Sequence, residues 1–311
     1  MEMKTVKIGT RGSPLALRQS SWVKEALSGH YPYLEIELVI IRTSGDKILD
    51  VPLAAIGGKG LFVKEIEEAL LEKRIDLAVH SLKDMPGELP PGLTIGAVPV
   101  REDPRDVLIS RDGLLLKEIP AQKKIGTSSL RRQAQVLHYR SDLETIPLRG
   151  NLDTRIKKIE SEGLAGVILA AAGLHRMGLQ EKISQYLDLN VCLPAVGQGA
   201  LALEIREGDV GILELIRVIH DEATALGTLA ERALLRRLQG GCQVPIAGHA
   251  WIEGQRIILK GLIAGLDGRE IIKDQLEGPL SDPTGLGIRL AESLLDQGGR
   301  EVLEGVLGKT R

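Results

Sequence analysis

One cysteine lies in a setting that suggests covalent chemistry. Segment 240–245 (GGCQVP) follows a helix-like run and precedes a strand-like run. Its glycines and its proline favour an exposed loop around Cys242, and an exposed thiol with a lowered pKa can be alkylated. An unreactive loop cysteine is the alternative. Cys192, between two apolar residues, is expected in the core.

A second group of side chains is suited to binding anions. Segment 126–132 (GTSSLRR) ends a strand-like run and opens a helix, where free N–H groups attract negative charge. Its two arginines add forked donors. Further polar or cationic residues follow predicted strands or begin helices: Arg11, Ser13, Arg149, Arg155 and Arg176. Ligands of open α/β sheets bind at such strand ends, so an anion site is predicted. Solvent-facing arginines with ordinary helix caps are the alternative.

A carboxylate follows another strand-like run. Segment 80–86 (HSLKDMP) ends that run and stops at a proline. Asp84 beside Lys83 is suited to stabilising positive charge or transferring protons. A structural aspartate in a turn is the alternative. His80 lies deeper in the strand and is interpreted as a hydrogen-bonded supporting residue.

Two glycine-rich segments resemble nucleotide-binding motifs without fitting them. In 57–62 (GGKGLF), Gly60 stands after Lys59 where a phosphate loop needs Ser or Thr. A loop that closes over a site and a plain turn are the remaining interpretations. Segment 197–202 (GQGALA) precedes a strand-like run rather than a helix, so a dinucleotide site is discounted. No His and Cys spacing matches a zinc site, and no metal is expected.

Alternating strands and helices must position these residues. Strands are predicted at 5–10, 34–42, 77–82, 107–110, 124–127, 144–148 and 165–171, and helices at 13–29, 62–74, 130–140 and 152–162. This alternation indicates βαβ units with mostly parallel sheets. The sequence Ile-Gly-Thr precedes a helix both at 8–10 and at 125–127, which suggests similar strand-to-helix geometry in two domains.

The pattern changes after Gly208. Helices are predicted at 210–220 and 222–238, and strands at 245–252, 256–266 and 270–276, followed by a helical tail. Glycines in the tight turns between these strands are typical of antiparallel hairpins. The strand predicted at 200–205 is assigned back to the first domain. The expected domains are therefore 1–99 plus 200–217, 100–199 and 218–311.

Composition excludes several classes of function. The chain has 311 residues, a net charge of −2, and only 2% aromatic residues, so neither nucleic acid nor an anionic membrane is an expected partner. We find no signal-like start and no apolar run of about 20 residues. Two cysteines are too few for a disulfide framework. A cytoplasmic protein is expected.

Taken together, the ordered motifs resemble those of the porphobilinogen deaminase family, the hydroxymethylbilane synthases. The matching segments are 10–19, 57–65, 78–84, 101–106, 126–133, 148–151, 193–199 and 240–245. They extend over nearly the whole chain, and so many in one order are far more specific than any one alone. The resemblance implies two similar α/β domains, like those of periplasmic binding proteins, around a cleft. It also implies a small C-terminal α/β domain that carries Cys242, and the three antiparallel strands predicted above would form the sheet of this domain.

The resemblance also implies an activity. Such a transferase of tetrapyrrole and haem biosynthesis carries a dipyrromethane cofactor, joined to Cys242 by a thioether. It condenses four porphobilinogen molecules with loss of ammonia, then releases the linear hydroxymethylbilane by hydrolysis. A monomer is expected.

Individual residues take implied roles from the same resemblance. Asp84 is the catalytic carboxylate, which contacts pyrrole nitrogens and stabilises a cationic intermediate. The positions matching cofactor-binding residues are Lys83, Thr127, Ser129, Arg131, Arg132 and Arg155. Those tied to substrate and growing chain are Arg11, Ser13, Gln19, Lys59, Arg149 and Arg176, with Lys59 in a mobile cover. A two-lobed anion-binding protein without catalysis is the alternative, although it would need neither Cys242 nor Asp84.

Overall fold

The computed structural model describes residues 5–47, 63–239 and 244–309. In chain order, the strands are β1 (Thr5–Thr10), β2 (Glu35–Ile40), β3 (Leu77–Ser81), β4 (Leu93–Ala97), β5 (Asp106–Ser110), β6 (Lys124–Gly126), β7 (Glu144–Ile146), β8 (Gly166–Ala170), β9 (Gln185–Tyr186), β10 (Leu201–Arg206), β11 (Ile246–Glu253), β12 (Arg256–Ala264) and β13 (Ile271–Pro279). The α-helices are α1 (Pro14–His30), α2 (Ser44–Lys47), α3 (Lys64–Leu71), α4 (Leu130–Tyr139), α5 (Leu152–Ser161), α6 (Ala171–Arg176), α7 (Val210–Ile216), α8 (Glu222–Arg237), α9 (Pro283–Leu294) and α10 (Arg300–Lys309).

The packing of Cα atoms divides the chain into two units. The first comprises Met1–Asp50, Gly58–Glu102 and Ala200–Ala225, and the second comprises Val51–Gly57, Asp103–Gly199 and Leu226–Arg311. The strand predicted at 200–205 lies in the first unit. Within the described residues, no helix is both long enough and apolar enough to cross a membrane.

The first unit contains a five-stranded sheet in the order β2-β1-β3-β10-β4. Strand β1 is parallel to β2 and β3, whereas β10 is antiparallel to both of its neighbours, β3 and β4. Helix α1 begins as the sequence predicts, with Ser13 as its N-cap and Pro14 in its first turn. Its buried Val23 and Leu27 join the core formed with the sheet.

The second unit contains a sheet of the same design, in the order β7-β6-β8-β5-β9. Strand β6 is parallel to β7 and β8, whereas β5 is antiparallel to β8 and β9. In each sheet the fourth strand runs against the other four. Strands β1 and β6 hold the same second place, and each leads into a helix. The similarity inferred from the two Ile-Gly-Thr segments is therefore confirmed.

The second unit also contains a three-stranded antiparallel sheet in the order β11-β12-β13. Helices α8 and α9 pack on this sheet, and the buried side chains of Leu234, Leu259 and Leu290 belong to the core between them. On the opposite face of the sheet, Ala134 of α4 packs with Ala247 and Leu262. The small antiparallel sheet therefore packs on α4 as well as on its own helices.

One glycine is required where this sheet meets α4. In the turn after β12, Gly268 adopts a φ of +72°, a left-handed conformation that favours glycine. A Cβ atom at this position would also clash with the backbone carbonyl oxygen of Ala134. Any larger residue would therefore push the turn away from α4.

Most predicted elements are confirmed, with several differences. Helix α3 is shorter than the predicted 62–74, and its first predicted residue, Phe62, lies outside the described residues. Strands β4 and β9 and the short helices α2 and α6 were not predicted. The glycine-rich segment 197–202 leads into a strand, β10, and not into a helix. This confirms the reason for which a dinucleotide site was discounted.

Candidate functional site

The first group of predicted site residues lies at the ends of β1 and β3. These strands are adjacent and parallel, with Ile8 opposite Leu77, so their carboxyl ends share one edge of the sheet. Arg11 follows β1, and a 3-10 turn that contains Asp84 follows β3. Asp84 is exposed. The structure therefore brings Arg11 and the predicted catalytic carboxylate to the same edge.

Neighbouring side chains fix the backbone at this edge. The Ser13 hydroxyl accepts a hydrogen bond from the Ala16 amide at 3.3 Å and caps α1. Gln19 is only 4% exposed, and its Nε2 donates to the Ser81 hydroxyl at 2.9 Å. Gln19 thus connects α1 to the end of β3. Its contact with a ligand stays a prediction. Lys83 is half-buried.

Strand β3 also contributes to a buried cluster that contains two carboxyl groups. His80 Nε2 is 2.9 Å from Glu204 Oε2, and both side chains are buried, which confirms His80 as a hydrogen-bonded supporting residue. Glu67 of α3 is 7% exposed. Burial, reinforced by the charge of Glu204, raises the pKa of Glu67 to about 7.

Glu67→Gln is expected to flatten the dependence of stability on pH. The pKa of Glu67 in the folded protein exceeds its ordinary value of 4.5, so the folded state binds this proton more tightly than the unfolded state. The contribution of this proton to the free energy of unfolding is therefore fully present below about pH 4.5. It is lost as the pH rises to about 7. Melting temperatures between pH 5 and pH 8 should fall with pH in the parent protein and fall less in the variant.

Glu68→Gln is the matched control for this experiment. Glu68 is the adjacent residue but is exposed, and its carboxylate lies 4.0 Å from Lys64 Nζ. The charge of Glu68 is the smallest of the causes that raise the pKa of Glu67, so the control should retain most of the parent's pH dependence. Equal slopes for the parent and Glu67→Gln would contradict the prediction.

The second group of predicted site residues surrounds the start of α4. The Ser129 hydroxyl accepts from the Arg132 amide at 3.4 Å and caps the helix. The Thr127 hydroxyl accepts from the Ser129 amide at 3.2 Å. These hydroxyls order the turn between β6 and α4, where helix N–H groups attract anions.

The two arginines in the first turn of α4 are buried. Arg131 is 5% exposed and Arg132 is 7% exposed. Both pair with Asp106, which is fully buried, at 2.6 Å for Arg131 and 2.8 Å for Arg132. Burial alone would raise the pKa of Asp106, but the two guanidinium charges outweigh it and hold that pKa well below its ordinary value.

Further arginines follow the neighbouring strands of the second sheet. Arg149 follows β7 and is half-buried. Arg155 Nε donates to the carbonyl of Gly150 at 2.9 Å. Arg176, at the end of α6 after β8, donates from Nη2 to the carbonyl of Gly199 at 2.7 Å. Because β6, β7 and β8 are parallel, these residues lie towards the same edge as the start of α4.

Two predicted site residues, Lys59 and Cys242, lie outside the described residues. Cys192 is fully buried, as expected of a core residue, and burial raises the pKa of its thiol. Within residues 5–47, 63–239 and 244–309, no group of His, Cys, Asp and Glu side chains could hold a metal ion.

Sequence reasoning missed the contact between Asp106 and the arginine pair. Gln198 was likewise given no role, yet its Nε2 donates to Asp106 Oδ1 at 2.9 Å. The available signal was a carboxylate at the first position of an apolar strand, within the matching segment 101–106. A charged residue there requires a buried partner.

Comparisons with known proteins agree with the motifs. Residues 6–214 match the family described as porphobilinogen deaminase, dipyromethane cofactor binding domain, and residues 225–296 match porphobilinogen deaminase, C-terminal domain. The porphobilinogen deaminase of Syntrophotalea carbinolica is 54% identical over 97% of this chain and 96% of its own length. That of Geobacter sulfurreducens is 53% identical over 97% of this chain and 95% of its own length.

Similar solved structures are more distant. The methionine binding protein MetQ is 11% identical, with a TM-score of 0.44, over 69% of this chain and 89% of its own. The periplasmic aliphatic sulphonate binding protein SsuA from Escherichia coli is 16% identical, with a TM-score of 0.41, over 76% of this chain and 71% of its own.

Proposed function

The chain belongs to the porphobilinogen deaminase family, and from that premise we propose that it joins four porphobilinogen molecules into linear hydroxymethylbilane, with release of ammonia. The observation that carries this proposal is the match of both family domains, in order, over residues 6–214 and 225–296. The enzyme is thus a transferase of tetrapyrrole biosynthesis.

The residues at the start of α4 fit a dipyrromethane cofactor. Its two rings carry acetate and propionate groups, so it is a polyanion at neutral pH. Two buried guanidinium groups share the single carboxylate of Asp106, which leaves an excess of positive charge. When bound, the cofactor supplies the pyrrole end to which substrate is added. Cys242 would hold it covalently, and the side chains binding its carboxylates would be Lys83, Thr127, Ser129, Arg131, Arg132 and Arg155.

Asp84 is the proposed catalytic residue. An aspartate carboxylate is negatively charged at neutral pH. It would stabilise the positive charge that develops on the substrate as ammonia leaves, and it would accept and return protons at the pyrrole nitrogen. Its exposure in the turn after β3 is consistent with contact to a ligand.

The substrate and the growing chain are also polyanions, which suits a series of cationic side chains. The residues proposed to bind them are Arg11, Ser13, Gln19, Lys59, Arg149 and Arg176. The contact from Arg176 to the carbonyl of Gly199 orients its guanidinium group, and a guanidinium group is suited to binding a carboxylate.

Domain organisation and setting complete the proposal. We keep the division into 1–99 plus 200–217, 100–199 and 218–311, which the three separate sheets support. The enzyme is proposed to be a cytoplasmic monomer that acts on porphobilinogen without nucleic acid or membrane partners. A net charge of −2 supports the last point.

Two measurements on the purified protein test this function. Its intact mass should exceed the sequence mass by two linked pyrrole rings. Porphobilinogen should be consumed with release of one ammonia per molecule. A two-lobed anion-binding protein would bind porphobilinogen without releasing ammonia, and that result would reject the proposed enzyme.

A further inference from the structure

Three sequence segments converge on the carboxylate of Asp106. Asp106 begins β5, the arginine pair lies in the first turn of α4, and Gln198 comes from the segment before β10. All of these residues belong to the second unit. Neither segment 101–106 nor segment 193–199 has a role in the proposed function, although both match the family.

The Asp106 carboxylate accepts hydrogen bonds from four side chains. Oδ2 accepts from Arg131 Nη1 at 2.6 Å and from the Cys192 thiol at 3.2 Å. Oδ1 accepts from Arg132 Nε and from Gln198 Nε2, both at 2.9 Å. Such a set of donors holds the carboxylate in one orientation.

Backbone carbonyl groups also accept hydrogen bonds from each arginine. Arg131 Nη1 also donates to the carbonyl of Leu193 at 2.6 Å, and Arg132 Nη1 donates to the carbonyl of Ile168 at 3.1 Å. In the part of the chain that the structure describes, Asp106 is the only carboxylate paired with either arginine. The cluster therefore carries one positive charge beyond what Asp106 neutralises, and a buried charge favours an anionic partner.

We propose that Asp106 is a positioning residue that aims both guanidinium groups at the cofactor's carboxylates, and that Gln198 orients Asp106. The inference rests on the proposed function, since it needs Arg131 and Arg132 to bind the cofactor. Asp106 neutralises one of the two charges, and the second remains for the ligand.

Asp106→Asn tests the positioning role. An asparagine amide would direct N–H groups at one of the guanidinium groups, so that arginine loses its acceptor and changes its orientation. We expect folded protein in which the fraction carrying the covalent cofactor, read from intact mass, falls roughly 10-fold or more. A purely structural role would lower the melting temperature and leave the loaded fraction of the folded protein unchanged. Normal or increased loading would overturn the proposal.

Asp142→Asn is the matched control. Asp142 pairs with Arg140 at 2.7 Å, just after the opposite end of α4, and is more exposed. This variant should load as the parent does.

Gln198→Met tests the positioning role of Asp106 if Asp106→Asn does not fold. It keeps the charge balance and removes one donor to Asp106, together with the amide oxygen that accepts from Arg132 Nη2 at 3.4 Å. A folded Gln198→Met protein with reduced loading supports the proposal, and unchanged loading overturns it. A parent protein without added mass or ammonia release would instead reject the proposed function itself. A loaded parent beside an equally loaded Asp106→Asn variant rejects only the positioning role.

Discussion

Asp84→Asn is expected to leave the protein folded and to lower the turnover of porphobilinogen by about 10²- to 10⁴-fold, the range typical of a lost acid/base group. Asparagine has nearly the same shape but neither the negative charge nor the basicity. It can stabilise the developing positive charge only weakly. Because Asp84 is exposed, the substitution removes little buried structure.

Initial rates of ammonia release, together with the melting temperature, measure this effect. Glu88→Gln is the matched control, since Glu88 is an exposed carboxylate four residues further along. It should retain the parent's rate. Near-normal turnover of Asp84→Asn would reject the catalytic assignment.

Cys242→Ser is expected to abolish stable cofactor attachment and, with it, activity. A serine hydroxyl is a far weaker nucleophile than a thiolate, so the thioether cannot form. Intact mass after denaturation should equal the sequence mass of the variant. A variant that still carries two pyrrole rings after denaturation would refute the thioether.

Cys192→Ser controls for the loss of a thiol. Cys192 is fully buried and its thiol pKa is raised, which makes it unsuited to alkylation. The serine hydroxyl can still donate to Asp106 as the Cys192 thiol does, so the added mass should persist in this variant. Its loss there, with retention in Cys242→Ser, would move the attachment site to Cys192.

Local sequence signals predicted much of the fold. Ser13 and Pro14 marked the start of α1, and the glycine-containing turns marked the antiparallel hairpins. Strand β4 was missed because only its first and last residues are buried, so its pattern resembles a loop. The reversed direction of β5 and β10 depends on partners far along the chain, which periodicity cannot reveal.

The sequence predicted which residues form the candidate site but not how they are buried and paired. Residue type and position at strand ends indicated the arginines, and the structure brings them to one edge of the second sheet. The burial of Arg131 and Arg132 was not predicted because it depends on Asp106, 25 and 26 residues earlier. A pattern of cationic residues does not distinguish an arginine that faces solvent from one that pairs with a distant carboxylate.

The place of β10 between β3 and β4 has a consequence for biosynthesis on the ribosome. Strand β4 is hydrogen-bonded to β10 in the first sheet, and β10 ends at Arg206. A nascent chain that stops before Leu201 therefore lacks the strand that joins β4 to β3. The first sheet cannot be completed until the whole of the second sheet has been translated, so the amino-terminal part of this chain is not an independent unit of co-translational folding.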